Sequence, residues 1–285
     1  MIRVELPMPK QQNVLILGGS GLLGTALAAS APHGVKLCST YYHTKVQIMP
    51  HASVFLDVAD FPALQNVVER CRPHVILHAS RIHPYEEDSQ KASAITERIA
   101  WIARSTKAKV AYISSDAVFD GRQGNYREDD IPHPLTEYGK AKWTAEQTFR
   151  EQLSDVLIIR TSYLFGRVYD GGWDKRTAKL LNEVEQGKFV YRCDDLFRSP
   201  LAAKDLASAC WQLVGKKIWG TIHIAGVRRS AYEFSHSLVE HLGFDPDLVR
   251  KESCRAKQPS MALDTSLNTD LAHRIIGFQR PDTLV

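Results

Sequence analysis

Tyr138 and Lys142 stand four residues apart in Tyr138-Gly-Lys-Ala-Lys142, at the start of a segment, 137–152, whose pattern predicts a helix. An i, i+4 pair shares one helix face. Ala145 and Phe149 continue the same stripe, so that face is expected to turn inward. A buried ammonium beside a phenol favours the phenolate and lowers the phenol pKa. That suits Tyr138 to acid–base work near neutral pH, and Lys142 to donation toward ribose hydroxyls. Upstream, Tyr112-Ile-Ser-Ser115-Asp-Ala-Val-Phe-Asp-Gly121 closes an apolar strand, and Ser115 is placed to donate a hydrogen bond to a substrate carbonyl. Ser115, Tyr138 and Lys142 form the candidate catalytic set.

A third feature precedes both. Gly18-Gly-Ser-Gly21-Leu-Leu-Gly24 reads G-x-x-G-x-x-G between the first strand and the first helix. Gly18 suits a tight turn, Gly21 lets a diphosphate approach the backbone, and Gly24 lets helix pack on strand. Helix N–H groups and the helix dipole then hold the phosphates. A dinucleotide site that prefers NAD usually puts an acid about 20 residues beyond the glycines. Here no Asp or Glu occurs between Gly18 and Leu56, while His43 and Lys45 lie in that stretch. NADP(H) is therefore the preferred cofactor, with NAD(H) as the alternative; His43 and Lys45 read equally as a solvated loop. Asp57 is placed to accept a hydrogen bond from an adenine amino group, and Asp60 is the better helix N-cap.

These residues need a scaffold. Apolar runs at 13–17, 35–39, 54–56, 74–78, 109–113 and 155–159 read as strands, and 22–30, 61–71, 86–105 and 137–152 as helices. Short apolar strands alternating with helices mean βαβ units and a parallel sheet covered on both faces. The fold class is α/β, a doubly wound Rossmann sheet. After 162 the pattern loosens to helices at 173–186, 203–214, 231–242 and 269–276 and a strand at 221–224. A smaller substrate-binding lobe, 163–285, is expected, partly interleaved with returns to the sheet of residues 1–162.

The 285 residues are 44% hydrophobic and 24% charged, with net charge +4. Such a chain buries a full core and is neither disordered, collagen-like nor a coiled coil. No Lys/Arg run marks a nucleic-acid binder, and no stretch of about 18 apolar residues marks a membrane span. Met1 to Pro7 lacks the pattern of a signal peptide. The five cysteines are odd in number and widely spaced, without C-x-x-C. That argues against a disulfide framework and a zinc cluster and for a reducing cytoplasm. No metal is expected, and a homodimer is left open.

The chain resembles the extended short-chain dehydrogenase/reductase superfamily, and within it the dTDP-4-dehydrorhamnose reductase family. The resemblance rests on Gly18 to Gly24, Pro73-His-Val-Ile-Leu-His-Ala-Ser80, Ile113 to Gly121, Glu128 to Lys142, Ile159-Arg-Thr-Ser162, Ser199 to Ala207 and the tail from Gln258 to Phe278. It implies that Ser115, Tyr138 and Lys142 are catalytic. It implies cofactor contacts from Gly18, Ser20, Gly21, Leu22, Leu23, Gly24, Tyr41, His43, Asp57, Val58, His78, Ala79, Ser80, Ser114, Tyr138, Lys142 and Ser162. Ser115, Asp116, Tyr163 and Arg198 are then expected to hold a nucleotide-linked sugar, Arg198 at the diphosphate. Two departures leave the sugar open: Arg81-Ile-His-Pro-Tyr85 replaces a Thr-x-Val-Asp-like segment, and no Asn lies between Asn66 and Asn125. The same block is similar to the regulatory beta subunit of methionine adenosyltransferase. The expected activity is reduction of a keto group on a nucleotide sugar. An epimerase or dehydratase of the superfamily and a non-catalytic NADP-binding subunit stand as alternatives.

Overall fold

A computed structural model describes residues 3–4, 12–46, 52–80, 89–216, 218–258 and 260–281. The segment 81–85, where the chain departs from the family pattern, lies outside the described residues. The first half runs β1 (Arg3–Val4), β2 (Gln12–Leu17), α1 (Leu22–Ala29), β3 (Val35–Tyr41), β4 (Ala52–Phe55), α2 (Phe61–Cys71), β5 (Val75–His78), α3 (Ser89–Thr106), β6 (Lys109–Ser115), α4 (Glu137–Gln152) and β7 (Val156–Thr161). There follow β8 (Leu164–Phe165), α5 (Lys175–Glu185), β9 (Val190–Cys193), β10 (Phe197–Arg198), β11 (Leu201–Ala202) and α6 (Ala203–Gly215). The chain closes with β12 (Ile218–His223), β13 (Arg229–Ser230), α7 (Ala231–His241), β14 (Val249–Glu252), α8 (Cys254–Lys257) and α9 (Asp270–Ile276).

The central sheet has the order β1-β12-β7-β6-β5-β2-β3-β4, parallel except for β1 on β12. This is a doubly wound α/β sheet. The order in which successive strands are added reverses between β2 and β5, which is where a ligand crevice opens in such sheets. Period-two alternation sorts the strand side chains to two faces. Val14, Ile16, Val75, Leu77, Ala111, Ile113, Leu157 and Ile159 face one layer with Leu27, Leu206 and Ile276. Leu15, Leu17, Ile76, Val110, Tyr112, Val156 and Ile158 face the other, with Leu64, Ile99 and Phe149. A separate core holds Phe165, Leu180, Val184, Val190, Phe234, Leu238 and Val249.

Helix starts follow local chemistry. Asp60 accepts from the Ala63 N–H at 3.0 Å, as the sequence suggests, and Thr136 from the Gly139 N–H at 3.1 Å. Ser230 and Glu233 form a reciprocal capping box at α7. Cys193 and Cys254, 61 residues apart, are joined in a disulfide, contrary to the expectation from spacing. The pairing arises because β14 lies parallel beside β9, with Cys193 opposite Glu252.

Helix α4 is held from below by ions. Glu146 and Arg160 are both fully enclosed. Arg160 donates to both carboxylate oxygens, Nε to Oε1 at 2.9 Å and Nη2 to Oε2 at 2.8 Å. Ser114 Oγ and Arg150 Nη2 add donors at 2.5 and 2.8 Å. Removing one partner of such a pair strands the other charge in the core, which costs roughly 3–5 kcal/mol. Arg160→Met should therefore lower unfolding free energy by about that amount, measured by urea denaturation; a loss under about 1 kcal/mol would mean the pair is dispensable.

Candidate active site

The glycine turn sits at the β2/β5 reversal. A Cβ on Gly18 (φ 89°) would lie 2.5 Å from Ser80 Cα, and one on Gly24 2.1 Å from the Gly18 carbonyl oxygen. Those two glycines are demanded by the protein's own packing. Gly21 is different. It has ordinary extended backbone, φ −76°, and its Cβ would meet only the Gly18 oxygen at 3.4 Å. It caps α1, and among the described residues no side chain caps that helix start. An open, uncapped helix N-terminus with room at its cap fits a dinucleotide diphosphate. Ser20, Leu22 and Leu23 complete this turn; Leu23 is buried against the core.

At the far end of the crevice, Tyr41 packs edge-on to Phe55 at 5.9 Å, and His43 lies exposed against Tyr42 at 4.3 Å. Asp57 uses one oxygen to accept the Ala59 N–H at 2.9 Å, and Val58 packs partly against the core. Ala79 continues the β5 pairing, its N–H on the Leu17 oxygen at 3.0 Å.

Two expected cofactor residues turn elsewhere. His78 and Ser114 share the strand parity of Ile76 and Tyr112, so both side chains face α4. His78 is sealed against Tyr112 and Phe149, with Nδ1 at 3.0 Å from Ser80 Oγ. Its Nε2 has no hydrogen-bond partner among the described residues. Burial, then the Lys142 charge, pulls its pKa down to about 3. The Ser114 hydroxyl is committed to Glu146.

The helix that carries Tyr138 and Lys142 meets the turn after Ser115 at one close approach. A Cβ on Gly139 would lie 2.1 Å from the Ala117 oxygen. The first turn of α4 therefore presses on the 3-10 turn Asp116–Val118 that follows Ser115. Lys142 is buried, its Nζ 5.7 Å from the Tyr138 ring centre, 5.0 Å from that of Tyr112 and 3.3 Å from the Ile113 oxygen it donates to. Ser115 Oγ accepts the Ala117 N–H at 3.2 Å and donates to Asp116 at 3.1 Å.

Asp116 is a buried junction rather than a free substrate contact. Its Oδ2 accepts from Ser162 Oγ at 2.7 Å and Thr265 Oγ1 at 2.9 Å, with Arg198 Nε at 3.9 Å. Ser162 also accepts the Ser199 N–H at 3.0 Å. Arg198 donates to the carbonyls of Phe197, Ala262 and Leu263. The segment 262–268 thus stitches the second half to the site, with further bonds from Leu267 N–H to Ser199 Oγ and from Asn268 N–H to the Tyr126 oxygen.

Arg198 and Tyr163 open onto a cavity of about 620 Å³. Arg176, Lys179, Lys188, Arg192 and Arg229 also line it, against one acid, Glu183. The rings of Phe189, Tyr191 and Phe234 add apolar wall. Burial raises the Tyr163 pKa. Sequence reasoning missed these cations because they come from α5, the turn after it, β9 and β13 and form no run. The spacing of Arg176, Lys179 and Glu183 along α5 was the available signal. Among the described residues, one group of potential metal ligands converges, Cys193, Asp195 and Cys254. Its sulfurs are bonded to each other, and the Asp195 carboxylate already accepts from Ser253, Cys254 and Arg255.

The crevice, the glycine turn and the Ser–Tyr–Lys grouping define an extended short-chain dehydrogenase/reductase. Within that class the chain belongs to the RmlD substrate binding domain family, whose model matches residues 12–280. It is 28% identical to a hypothetical dTDP-4-dehydrorhamnose reductase from Sulfolobus tokodaii, with a TM-score of 0.82 covering 95% of this chain and 98% of that one. The dTDP-4-dehydrorhamnose reductase of Bacillus anthracis in complex with NADP has the same fold, TM-score 0.81 at 22% identity over 96% of both chains. Methionine adenosyltransferase 2 subunit beta of Xenopus laevis is 28% identical over 228 residues, 76% of this chain; the match spans 66% of that subunit's length. No helix of the described residues is long and apolar enough to cross a membrane.

His78 and His223 make stability pH-dependent. His223, enclosed and 3.5 Å from Arg160, is also pulled to about 3, by burial and then by that guanidinium. Against an ordinary 6.5, the unfolded chain binds more protons than the fold in this range. Stability from this source is complete above about pH 6.5 and falls toward pH 3, by up to roughly 1.4 kcal/mol per pH unit for each histidine. Denaturant midpoints measured from about pH 7 to pH 4 should show it. In His78→Gln the slope should drop by one histidine's share; an unchanged slope would assign the acid loss elsewhere. The glycine turn gives a second contrast. Gly24→Ala should destabilise the fold. Gly21→Ala should leave the melting temperature alone yet raise the NADPH KM on the order of tenfold.

Proposed function

We propose that this protein is an NADPH-dependent reductase acting on a keto group of a nucleotide-linked sugar, similar to dTDP-4-dehydrorhamnose reductase. One observation carries the reading. The Ser115, Tyr138 and Lys142 grouping is coupled through Asp116 and Arg198 to a cavity lined by six cations and one acid. A nucleoside diphosphate is an anion with an aromatic end, and a basic cavity with phenyl and phenol walls suits it.

The residues divide the labour. Residues 1–162 hold the cofactor and 163–285 chiefly the substrate. The α1 N-terminus beyond Gly21 takes the diphosphate of NADP(H), and His43 and Lys45 take the 2′-phosphate in a stretch without carboxylates. When bound, the reduced nicotinamide supplies a hydride to the carbonyl carbon. Ser115 Oγ donates to the carbonyl oxygen. Tyr138 gives its phenol proton to that oxygen as charge develops, and the Lys142 ammonium stabilises the phenolate left behind. Lys142 is steadied by its bond to the Ile113 carbonyl. Tyr163 and Arg198 orient the nucleotide sugar.

A second reading, a cofactor-binding regulatory subunit, draws support from the likeness to methionine adenosyltransferase 2 subunit beta. Turnover separates the two. Incubated with NADPH and a panel of 4-keto nucleotide sugars, the protein should consume NADPH absorbance with at least one; no turnover with any would favour the subunit reading. Tyr138→Phe should lower kcat by roughly 10²–10⁴-fold with little change in the NADPH KM. A variant that turns over at the parent rate would remove Tyr138 as the acid.

A further inference from the structure

We propose that Cys193 and Cys254 form a thiol–disulfide switch that sets the order of the cavity wall carried by β9, and with it the affinity for the nucleotide part of the substrate. The affinity half of this inference rests on the cavity reading above; the ordering half does not.

Strand β9 contributes Val190, Tyr191 and Arg192 to the cavity. Among the described residues β9 pairs with β14 alone, in a two-stranded parallel ladder of four residue pairs. Two-stranded ribbons are marginally stable by themselves. One face of this ribbon is anchored in the second core by Val190 and Val249, and the other is open to solvent, with Tyr191 55% exposed. Three links fasten its C-terminal end. The Asp194 N–H donates to the Glu252 oxygen at 3.0 Å. The Asp195 carboxylate accepts from Ser253 Oγ at 2.6 Å and from the N–H groups of Cys254 and Arg255 at 2.7 and 3.2 Å. The third is the Cys193–Cys254 bond, which closes a loop of 61 residues carrying α6, β12 and α7.

The first two links contain no sulfur and do not depend on redox state. The third depends on the thiol poise of its surroundings. Both sulfurs are buried in the closed form, but Cys254 borders an exposed segment, 255–258, so a small opening exposes it. A thiolate of a dithiol reductant attacks one sulfur and forms a mixed disulfide; the other sulfur leaves and takes up a proton. The reductant's second thiol then displaces the attached cysteine, which is protonated in turn. The protein gains two electrons and two protons, and the reductant leaves as its own disulfide. With the covalent link gone, β9 is ordered for only part of the time. A ligand that needs Arg192 and Tyr191 in place binds in proportion to that fraction.

The test compares the full chain treated with oxidised glutathione and with dithiothreitol. Thiols titrated after denaturation should number three in the bridged protein, Cys38, Cys71 and Cys210, out of five cysteines in all. Peptide mapping identifies which pair is joined. Amide exchange at 190–193 should quicken on reduction. The Kd for dTDP, the nucleoside diphosphate used as probe, should rise about tenfold if the ordered wall drops to about a tenth of the population. The Kd for NADPH should not move. Cys254→Ser, with Cys193→Ser as a second variant, should behave as the reduced protein in both buffers. Unchanged exchange and unchanged dTDP affinity between the two states overturn the switch, as does failure of the two cysteines to join under glutathione. Equal weakening toward NADPH and dTDP also overturns it, because the effect would then be global. If exchange responds but dTDP binds in neither state, the ordering half stands and the nucleotide reading of the cavity falls.

Discussion

Arg160 lies beneath the sheet at the end of β7 with no access to water, and Glu146 is the carboxylate that makes this tolerable. Two buried ions are costly to desolvate, so they persist only where geometry satisfies nearly every donor and acceptor. Here the carboxylate takes four donors, from Arg160 twice, Ser114 and Arg150. The consequence is angular. Each helical residue turns about 100°, so residues four apart nearly superimpose. Glu146 follows Lys142 by four and Tyr138 by eight. Fixing its carboxylate on Arg160 fixes the rotation of α4, and so the direction in which Tyr138 and Lys142 point. The hydrogen-bonded polar layer continues through His223 to Tyr126 and Glu128, tying β7 and β12 into the same frame.

The other end of α4 is held by contact rather than charge. Gly139 lets the helix touch the turn after Ser115 with no side chain between them. Charge below and close contact above leave the Tyr–Lys face little freedom to slide or turn. Asp116 performs a related service for the second half of the chain. It gathers Ser162, Thr265 and Arg198 around one carboxylate, so the cavity and the crevice are set by one junction.

Much of this was legible in the sequence. The helix 137–152 and its inward stripe are as the spacing suggests, because Thr136 caps one end and Ala145 and Phe149 fill the core face. The apolar strands β2, β5, β6 and β7 stand out because both their faces are covered. What escaped notice is short, polar or nonlocal. β9 and β14 are four residues each, without strict alternation of buried and exposed positions, and too brief for periodicity. The disulfide depends on their adjacency, which no spacing rule encodes. Ser114 and His78 could have been placed by parity, since each falls on the strand face of its neighbour Tyr112 or Ile76, away from the crevice. The basic cavity draws its charges from α5, the turn after it, β9, β10 and β13, and only folding brings them together.

The segment 262–268 has a bearing on how the molecule comes to exist. Thr265 reaches Asp116 across 149 residues of chain, and Leu267 and Asn268 reach Ser199 and Tyr126. Contacts of such separation are made late, after local strands and helices have paid their closure entropy. On a ribosome, strands β2 to β7 and the glycine turn can assemble while the last quarter of the chain, β12 included, is still unmade. Asp116 would wait, a carboxylate at the sheet's edge with water for company, until the final stretch emerges and is drawn across it. The turn after Ser115 is thus among the last regions to acquire its neighbours, well after the glycine turn has its own.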